Sequence, residues 1–321
     1  MGGWIPTVGP VERALALRSL PLFRGLPARE VSALAQLLRE HVVPRGQLLH
    51  RGGSRVNALH LLTDGRVRLQ RDNAPAAFLE APAALGLLEL LAGEPARLTA
   101  TADGNVTALV IDRGALLDVL EDQFQLVLHL RTALGRQIAA RQAELGRYEL
   151  PHGDTRIEPR ASGSGPLDLV ESLLWLEQVP ELRALGVAAL AALLGEEPTV
   201  CFAAGEQLFE AGAEANRLIV LVEGDVACTA ADGAAPFRAG AGDVLGREAV
   251  LAGLAHPYSA VADTPGIAIP IDAQGFWDLA EDHFPVALAA LSMSARQLLW
   301  LEEQQPPGSA PIAGVSFTED Q

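Results

Sequence analysis

The side chains able to do chemistry are sparse and badly spaced for catalysis. The seven histidines, His41, His50, His60, His129, His152, His256 and His283, show neither His-x-x-x-His nor His-Glu-x-x-His spacing, so no zinc or iron site is expected and satisfied surface or core roles account for them. Cys201 and Cys228 lack a Cys-x-x-Cys partner, which excludes a zinc ribbon or disulfide framework and leaves two reduced core residues. No nucleophile elbow, P-loop or Gly-x-Gly-x-x-Gly after a strand occurs. Gly163-Ser164-Gly165 falls in a breaker-rich stretch and reads as a tether rather than a catalytic serine. The acidic pairs Glu121-Asp122 and Glu281-Asp282 are read at the starts of long helices, where they complement the helix dipole. The residue chemistry points away from an enzyme, a metal-dependent cupin-type enzyme included.

The elements that carry these residues come in two copies. Shifting the chain by 159 lays Gly46-Gln-Leu-Leu-His-Arg-Gly-Gly53 on Gly205-Glu-Gln-Leu-Phe-Glu-Ala-Gly212, and Asn57, Leu59, Leu62, Gly65 and Val67 on Asn216, Leu218, Leu221, Gly224 and Val226. With one inserted residue, Leu85-Gly86, Leu91-Ala92-Gly93, Ala102-Asp103 and Ile111-Asp112 match Leu245-Gly246, Leu251-Ala252-Gly253, Ala262-Asp263 and Ile271-Asp272. The chain is a tandem duplication. Each copy opens with a helix pair, predicted near Val11–Leu20 and Pro27–His41, and near Leu167–Gln178 and Glu181–Gly195. Short strands follow, and Asp64-Gly65 and Glu223-Gly224 between apolar runs read as hairpin turns. Each copy closes with a helix, whose stripe runs from Leu116 to Ile138 in the first and from Phe276 to Leu301 in the second.

Charge separates the copies. All 24 basic residues are Arg; residues 1–160 hold 19 of them against 17 acidic residues, and residues 161–321 hold 5 against 23. The first half is near neutral and the second strongly negative, so no nucleic-acid footprint is present. The apolar runs Ala184–Gly195 and Ala249–Ala262 are shorter than the roughly 18 residues of a spanning helix, so no membrane span is expected. Met1–Val11 shows no secretory pattern, which makes a cytoplasmic location the expectation.

Both copies carry a Leu-Pro-x-Phe-like phrase (Leu20-Pro21-Leu22-Phe23; Val179-Pro180-Glu181-Leu182), the phrase Gly-x-x-Leu-x-x-x-Gly-x-x-x-Asn-x-Leu, a glycine between strands and a closing Ile-Asp. The chain thereby resembles the cyclic-nucleotide-binding domain family, in the tandem arrangement of protein kinase A regulatory subunits. The resemblance implies a mainly β fold with flanking helices: two jelly-roll barrels, each with N-terminal helices and a C-terminal helix. It implies domain 1 at 1–149, a linker at 150–166, domain 2 at 167–303 and a tail at 304–321.

In that family a Gly-Glu-Leu helix start and an Arg ten or eleven residues later form the phosphate cassette, through backbone N–H groups, a guanidinium fork and a ribose-accepting Glu. The resemblance thus nominates Gly86, Leu88, Glu89, Arg97, Leu98 and Thr99 in domain 1, with Leu87 at the ribose position. It nominates Gly246, Glu248, His256 and Ser259 in domain 2, with Arg247 at the ribose position and His256-Pro257-Tyr258 where Arg belongs. Neither a helix-turn-helix nor an Arg-Arg-x-Ser inhibitor segment is found. The function implied is non-enzymatic: a regulatory or adaptor protein whose domain 1 takes cAMP or cGMP, its terminal helix (about Gly114–Arg147) closing over the occupied cassette. The alternative is a ligand-free scaffold. Both engage a protein partner, a basic surface suiting the acidic half, and the Leu116–Ile138 stripe would serve a homodimer or pack on its own barrel.

Overall fold

The computed structural model describes residues 9–19, 23, 25–71, 76–148, 157, 165–194 and 198–304. Leu20–Leu22 of the opening phrase, nearly all of the expected linker and the tail beyond Gln304 lie outside them. Two compact units are present, Met1–Leu130 with Leu298–Gln321, and Arg131–Gln297.

The first repeat runs α1 (Pro10–Ser19), α2 (Ala28–Leu37), β1 (Arg39–Val43), β2 (Leu48–His50), β3 (Ala58–Asp64), β4 (Arg66–Gln70), β5 (Ala77–Glu80), β6 (Ala83–Leu85), α3 (Leu87–Ala92), β7 (Thr99–Ala102), β8 (Val106–Asp112), α4 (Arg113–Asp122) and α5 (Phe124–Leu145). The second runs α6 (Leu169–Leu176), α7 (Pro180–Arg183), α8 (Val187–Leu193), β9 (Val200–Phe202), β10 (Gln207–Phe209), β11 (Arg217–Glu223), β12 (Val226–Ala230), β13 (Phe237–Ala239), β14 (Val244–Leu245), α9 (Arg247–Ala252), β15 (Tyr258–Ala262), β16 (Gly266–Asp272), α10 (Ala273–Asp282) and α11 (Phe284–Glu303). Sheets β1-β8-β3-β6 and β2-β7-β4-β5 recur as β9-β16-β11-β14 and β10-β15-β12-β13, all antiparallel. Equivalent strands take equivalent places, as the duplication implied, and each repeat is a two-sheet jelly roll, as the resemblance implied.

Alternation along the strands builds the two interiors. Val43, Leu62, Val67, Leu69, Leu79, Leu85, Ala100 and Ala108 fill the first, and Phe202, Ile219, Leu221, Cys228, Leu245, Tyr258 and Ala268 belong to the second. Cys228 is the buried core thiol expected of it, whereas Cys201 is exposed.

Several local readings are corrected. Asp64-Gly65 and Glu223-Gly224 are corners: β3 and β4 belong to different sheets, as do β11 and β12. Gly65 holds φ +91°, and a Cβ there would stand 2.5 Å from the Asn105 carbonyl oxygen, so the corner passes too close to the next loop for a side chain. Helix α2 stops before His41 because Arg39–Val43 pairs with β8. The predicted Glu181–Gly195 helix is split at Gly186, with φ +81°. The terminal helices are each broken, at Gln123 (φ −128°) and His283 (φ −131°). Glu121-Asp122 and Glu281-Asp282 therefore end α4 and α10, and the N-caps are Asp112, accepting from Ala115 N at 3.0 Å, and Asp272, accepting from Gly275 N at 2.7 Å.

Within the apolar stripe, Leu116, Leu120, Val127, Leu134 and Ile138 are buried inside the chain, while Leu117, Phe124 and Leu128 are half-buried. Helix α11, with a mean hydropathy of 1.3 over its apolar window, is the one described helix long and apolar enough to cross a membrane. The sequence scan overlooked it. Of that window 61% is buried inside the protein, by Ala287, Leu291, Ala295 and Leu298 among others, as in a core helix.

Candidate functional site

In the first unit the cassette is β6, α3 and the loop leading to β7. Gly86 caps α3 with φ +90°, a conformation that a side chain would strain, and its missing Cβ leaves room for Val56 and the Ala58 carbonyl. Leu87, Leu88 and Glu89 are all buried. The position where the resemblance expects a ribose-accepting carboxylate is thus an apolar side chain packed into the protein. Burial pushes the Glu89 carboxyl up from its ordinary value, and the nearby Arg97 charge draws it partly back.

Arg97 is where the resemblance put it, and it is already engaged. Its Nη1 donates to the Leu299 carbonyl at 2.6 Å and meets Glu303 Oε1 at 2.8 Å; its Nη2 meets Glu94 Oε2 at 3.0 Å. Two carboxylates and a carbonyl surround the guanidinium in the manner of an anionic ligand. Leu98 packs against the barrel interior, and Thr99 Oγ1 accepts from Gly52 N at 3.0 Å, tying the cassette's exit to the β2–β3 loop. Nothing in the sequence pattern paired Glu303 with Arg97.

The second unit keeps the scaffold and changes the contents. Gly246 caps α9 with φ +72°, and Ser259 Oγ accepts from Ala211 N at 2.9 Å, reproducing the Thr99 contact. Arg247, at the ribose position, is buried and donates to Glu248 at 2.8 Å and Gln297 at 3.2 Å, while Gln297 Nε2 donates to Glu248 at 3.1 Å. Both charges of the cassette are spent on each other and on α11.

An aromatic cluster occupies the interior beside that cassette. His256 stacks on Phe209 at 3.9 Å, and Tyr258 lies 5.0 Å from Phe237, 5.5 Å from Phe209 and 6.0 Å from Tyr148. The Gly246 N–H, the first amide of the cassette, donates to Tyr258 Oη at 3.2 Å. Tyr148 follows the end of α5, donates its hydroxyl to Asp232 at 2.9 Å and is part of this unit's core. Residues Phe209, Phe237 and Tyr148 were not singled out by sequence; the apolar strand pattern marks the first two as core, and Tyr148 has no local signature.

The terminal helices also depart from expectation. Residues 131–145 of α5 belong to the second unit, where Gly135 approaches Ala252 so closely that a Cβ would stand 1.9 Å from its Cβ, and Arg131 lies 4.3 Å above the Trp277 ring. The last turns of α11 belong to the first unit, on Arg97. Among the described residues no group of three or more His, Cys, Asp or Glu side chains is placed to hold a metal ion.

The family model described as "Cyclic nucleotide-binding domain" matches residues 40–123 and 199–283. A search of the curated proteins gives no match. Among solved structures, the chain is similar to a mutant regulatory subunit of a cAMP-independent protein kinase A from Trypanosoma brucei bound to cAMP in the A site, at 16% identity, 93% of this chain, 92% of that one and a TM-score of 0.33. The regulatory domain of Toxoplasma gondii protein kinase A with cAMP matches at 15% identity over 90% and 97%, TM-score 0.33. The N-terminal domain of a Streptomyces coelicolor transcriptional regulator matches at 24% over 43% and 99%, TM-score 0.37.

Proposed function

The chain belongs to the cyclic nucleotide-binding domain family, with that domain present twice, and from this premise we propose that it is a non-enzymatic regulatory or adaptor protein. Domain 1 (1–149) is the sensor, taking cAMP or cGMP through the Gly86 cassette, Arg97 and Thr99. Domain 2 (167–303), joined by the linker 150–166 and followed by the tail 304–321, is the acidic face for a protein partner. Two unpaired thiols suit a reducing cytoplasm.

The carrying observation is Arg97, a cation at the cassette's phosphate position whose present partners are exchangeable carboxylates. A cyclic phosphate arriving there competes with Glu303, Glu94 and the Leu299 carbonyl. Occupancy then favours the state in which the last turn of α11 is released, a population shift driven by the difference in anion contacts. Titration calorimetry with cAMP, cGMP and a cyclic dinucleotide on the wild type and on Arg97→Ala tests this: saturable heat lost in the variant is expected, and no heat with any ligand sinks the sensor.

A ligand-free scaffold is the second reading. The aromatic cluster around Tyr258 and the apolar Leu87 favour it, since neither cassette offers a carboxylate at the ribose position. A partner captured equally by wild type and Arg97→Ala, with no nucleotide heat, is the outcome that selects it.

A further inference from the structure

The two barrels differ most where their inner faces meet the cassette. Cross-strand partners share a face of the sheet. His60 of β3 stands opposite Val110 of β8 and Leu85 of β6, and Leu85 is followed directly by Gly86, the start of the cassette helix. His50 of β2 stands opposite Ala100 of β7, two residues past Leu98 at the cassette's exit. Leu85 and Ala100 belong to the first barrel's core, so both imidazoles point inward, one at each end of the cassette. In the second barrel the equivalent positions are Ile219, opposite Leu245, and Phe209, opposite Ala260. There these two strand positions are apolar, and the buried imidazole, His256, comes from the cassette loop and stacks on Phe209; here the strand positions themselves carry two imidazoles.

Each imidazole also keeps one unpaired ring nitrogen, contrary to the sequence reading, although the His50 ring hydrogen-bonds the Leu98 backbone and the His60 ring that of Ala58. The Nδ1 atoms of His50 and His60 are buried with no hydrogen-bond partner. An inward polar atom left unpaired is costly, and it is conserved energy for a ligand able to pair it. Resting on the sensor reading above, we infer that His50 and His60 are ligand-contacting residues of the first barrel, binding an anionic nucleotide with uptake of protons.

The charges around the pair favour an anion and, until one arrives, hold the rings unprotonated. Arg39 and His41 of β1, both exposed, stand opposite Val110 and Ala108 of β8. Strands β6, β7 and β8 add Leu85, Ala100, Ala108 and Val110, none of which titrates. The cassette's own charges, Glu89 and Arg97, act on each other. Burial, then the neighbouring His50 and His41, lowers His60 from 6.5 to about 4, and burial lowers His50. Both are neutral in the ligand-free protein at pH 7. A bound monoanion favours their protonated forms, raising both values, so affinity must increase as pH falls through the liganded values. Return of His60 alone to its ordinary 6.5 makes binding about tenfold tighter at pH 5.5 than at pH 8.

The test is calorimetry of the full chain with cAMP and cGMP at pH 5.5, 7 and 8, in wild type, His50→Gln and His60→Gln, with histidine ring protons followed by NMR. Tighter binding at low pH, flattened in either variant, and ring titrations moved upward by nucleotide are expected. Binding whose affinity ignores pH and both substitutions overturns this inference while leaving the sensor standing. Absence of binding at every pH overturns both.

Discussion

The Glu303 carboxylate sits 2.8 Å from the Arg97 guanidinium, so the end of the last long helix occupies the cation that the proposed sensor needs for a phosphate. The pair is partly solvated, with side chains 43% and 21% exposed, and contributes no more than about 1 kcal/mol to stability. Glu303→Gln should therefore barely move a urea midpoint yet strengthen binding of an anionic ligand, because a competitor for Arg97 is gone. Calorimetry alongside denaturation checks both; a large loss of stability with unchanged affinity contradicts the competition.

Gly135 inverts a general rule. In a helix interior, alanine is ordinarily more favourable than glycine by about 1 kcal/mol. Here a Cβ would stand 1.9 Å from Ala252 Cβ and 2.8 Å from its Cα. Gly135→Ala should destabilise the protein by about 1–3 kcal/mol through overpacking. Equilibrium denaturation reads the sign directly.

The two tyrosines of the chain are both in the second barrel's cluster. Burial and the hydrogen-bonded Asp232 push Tyr148 up to about 12, and burial raises Tyr258 well above 10. The folded chain keeps protons that the unfolded chain releases above pH 10. The stabilisation is thus complete below pH 10 and is lost as pH climbs towards 12. Tyrosinate absorbance should stay absent at pH 10.5 in the folded protein and appear on adding denaturant.

Cysteine reactivity should split by burial. Cys201 is exposed, whereas burial, then the charges of Asp243, Glu248 and Asp263, pushes the Cys228 thiol up to about 12. A thiol reagent at pH 8 should modify one residue per native chain and two in denaturant. Rapid modification of both without denaturant would contradict the packed second interior.

Much of the fold was legible in local pattern. The Gly46 and Gly205 phrases marked the duplication and laid Leu62 on Leu221, which the structure buries in equivalent interiors, and the matched Ile-Asp of each copy turns out to carry the caps Asp112 and Asp272. The corner glycines were misread because a turn within one sheet and a corner between two sheets look alike over four residues. The breaks at Gln123 and His283 were missed because the apolar spacing of three and four continues through them.

The candidate site was only half legible. Gly86, Arg97 and Thr99 follow from motif spacing, since a cassette is a contiguous run of chain. Its occupants do not: Glu303 is met across two hundred residues, Tyr148 enters from beyond α5, and His50 and His60 converge only because two sheets close on each other. A period of 2 or 3.6 encodes which face is buried, and the repeated motifs carry the resemblance that implied two jelly rolls with cassettes, so that much the sequence by itself determined. What each buried face meets depends on distances between elements remote along the chain. Tertiary structure alone therefore decided that one interior is filled by stacked rings and the other holds two strand imidazoles with unpartnered Nδ1 atoms and an engaged arginine in its cassette.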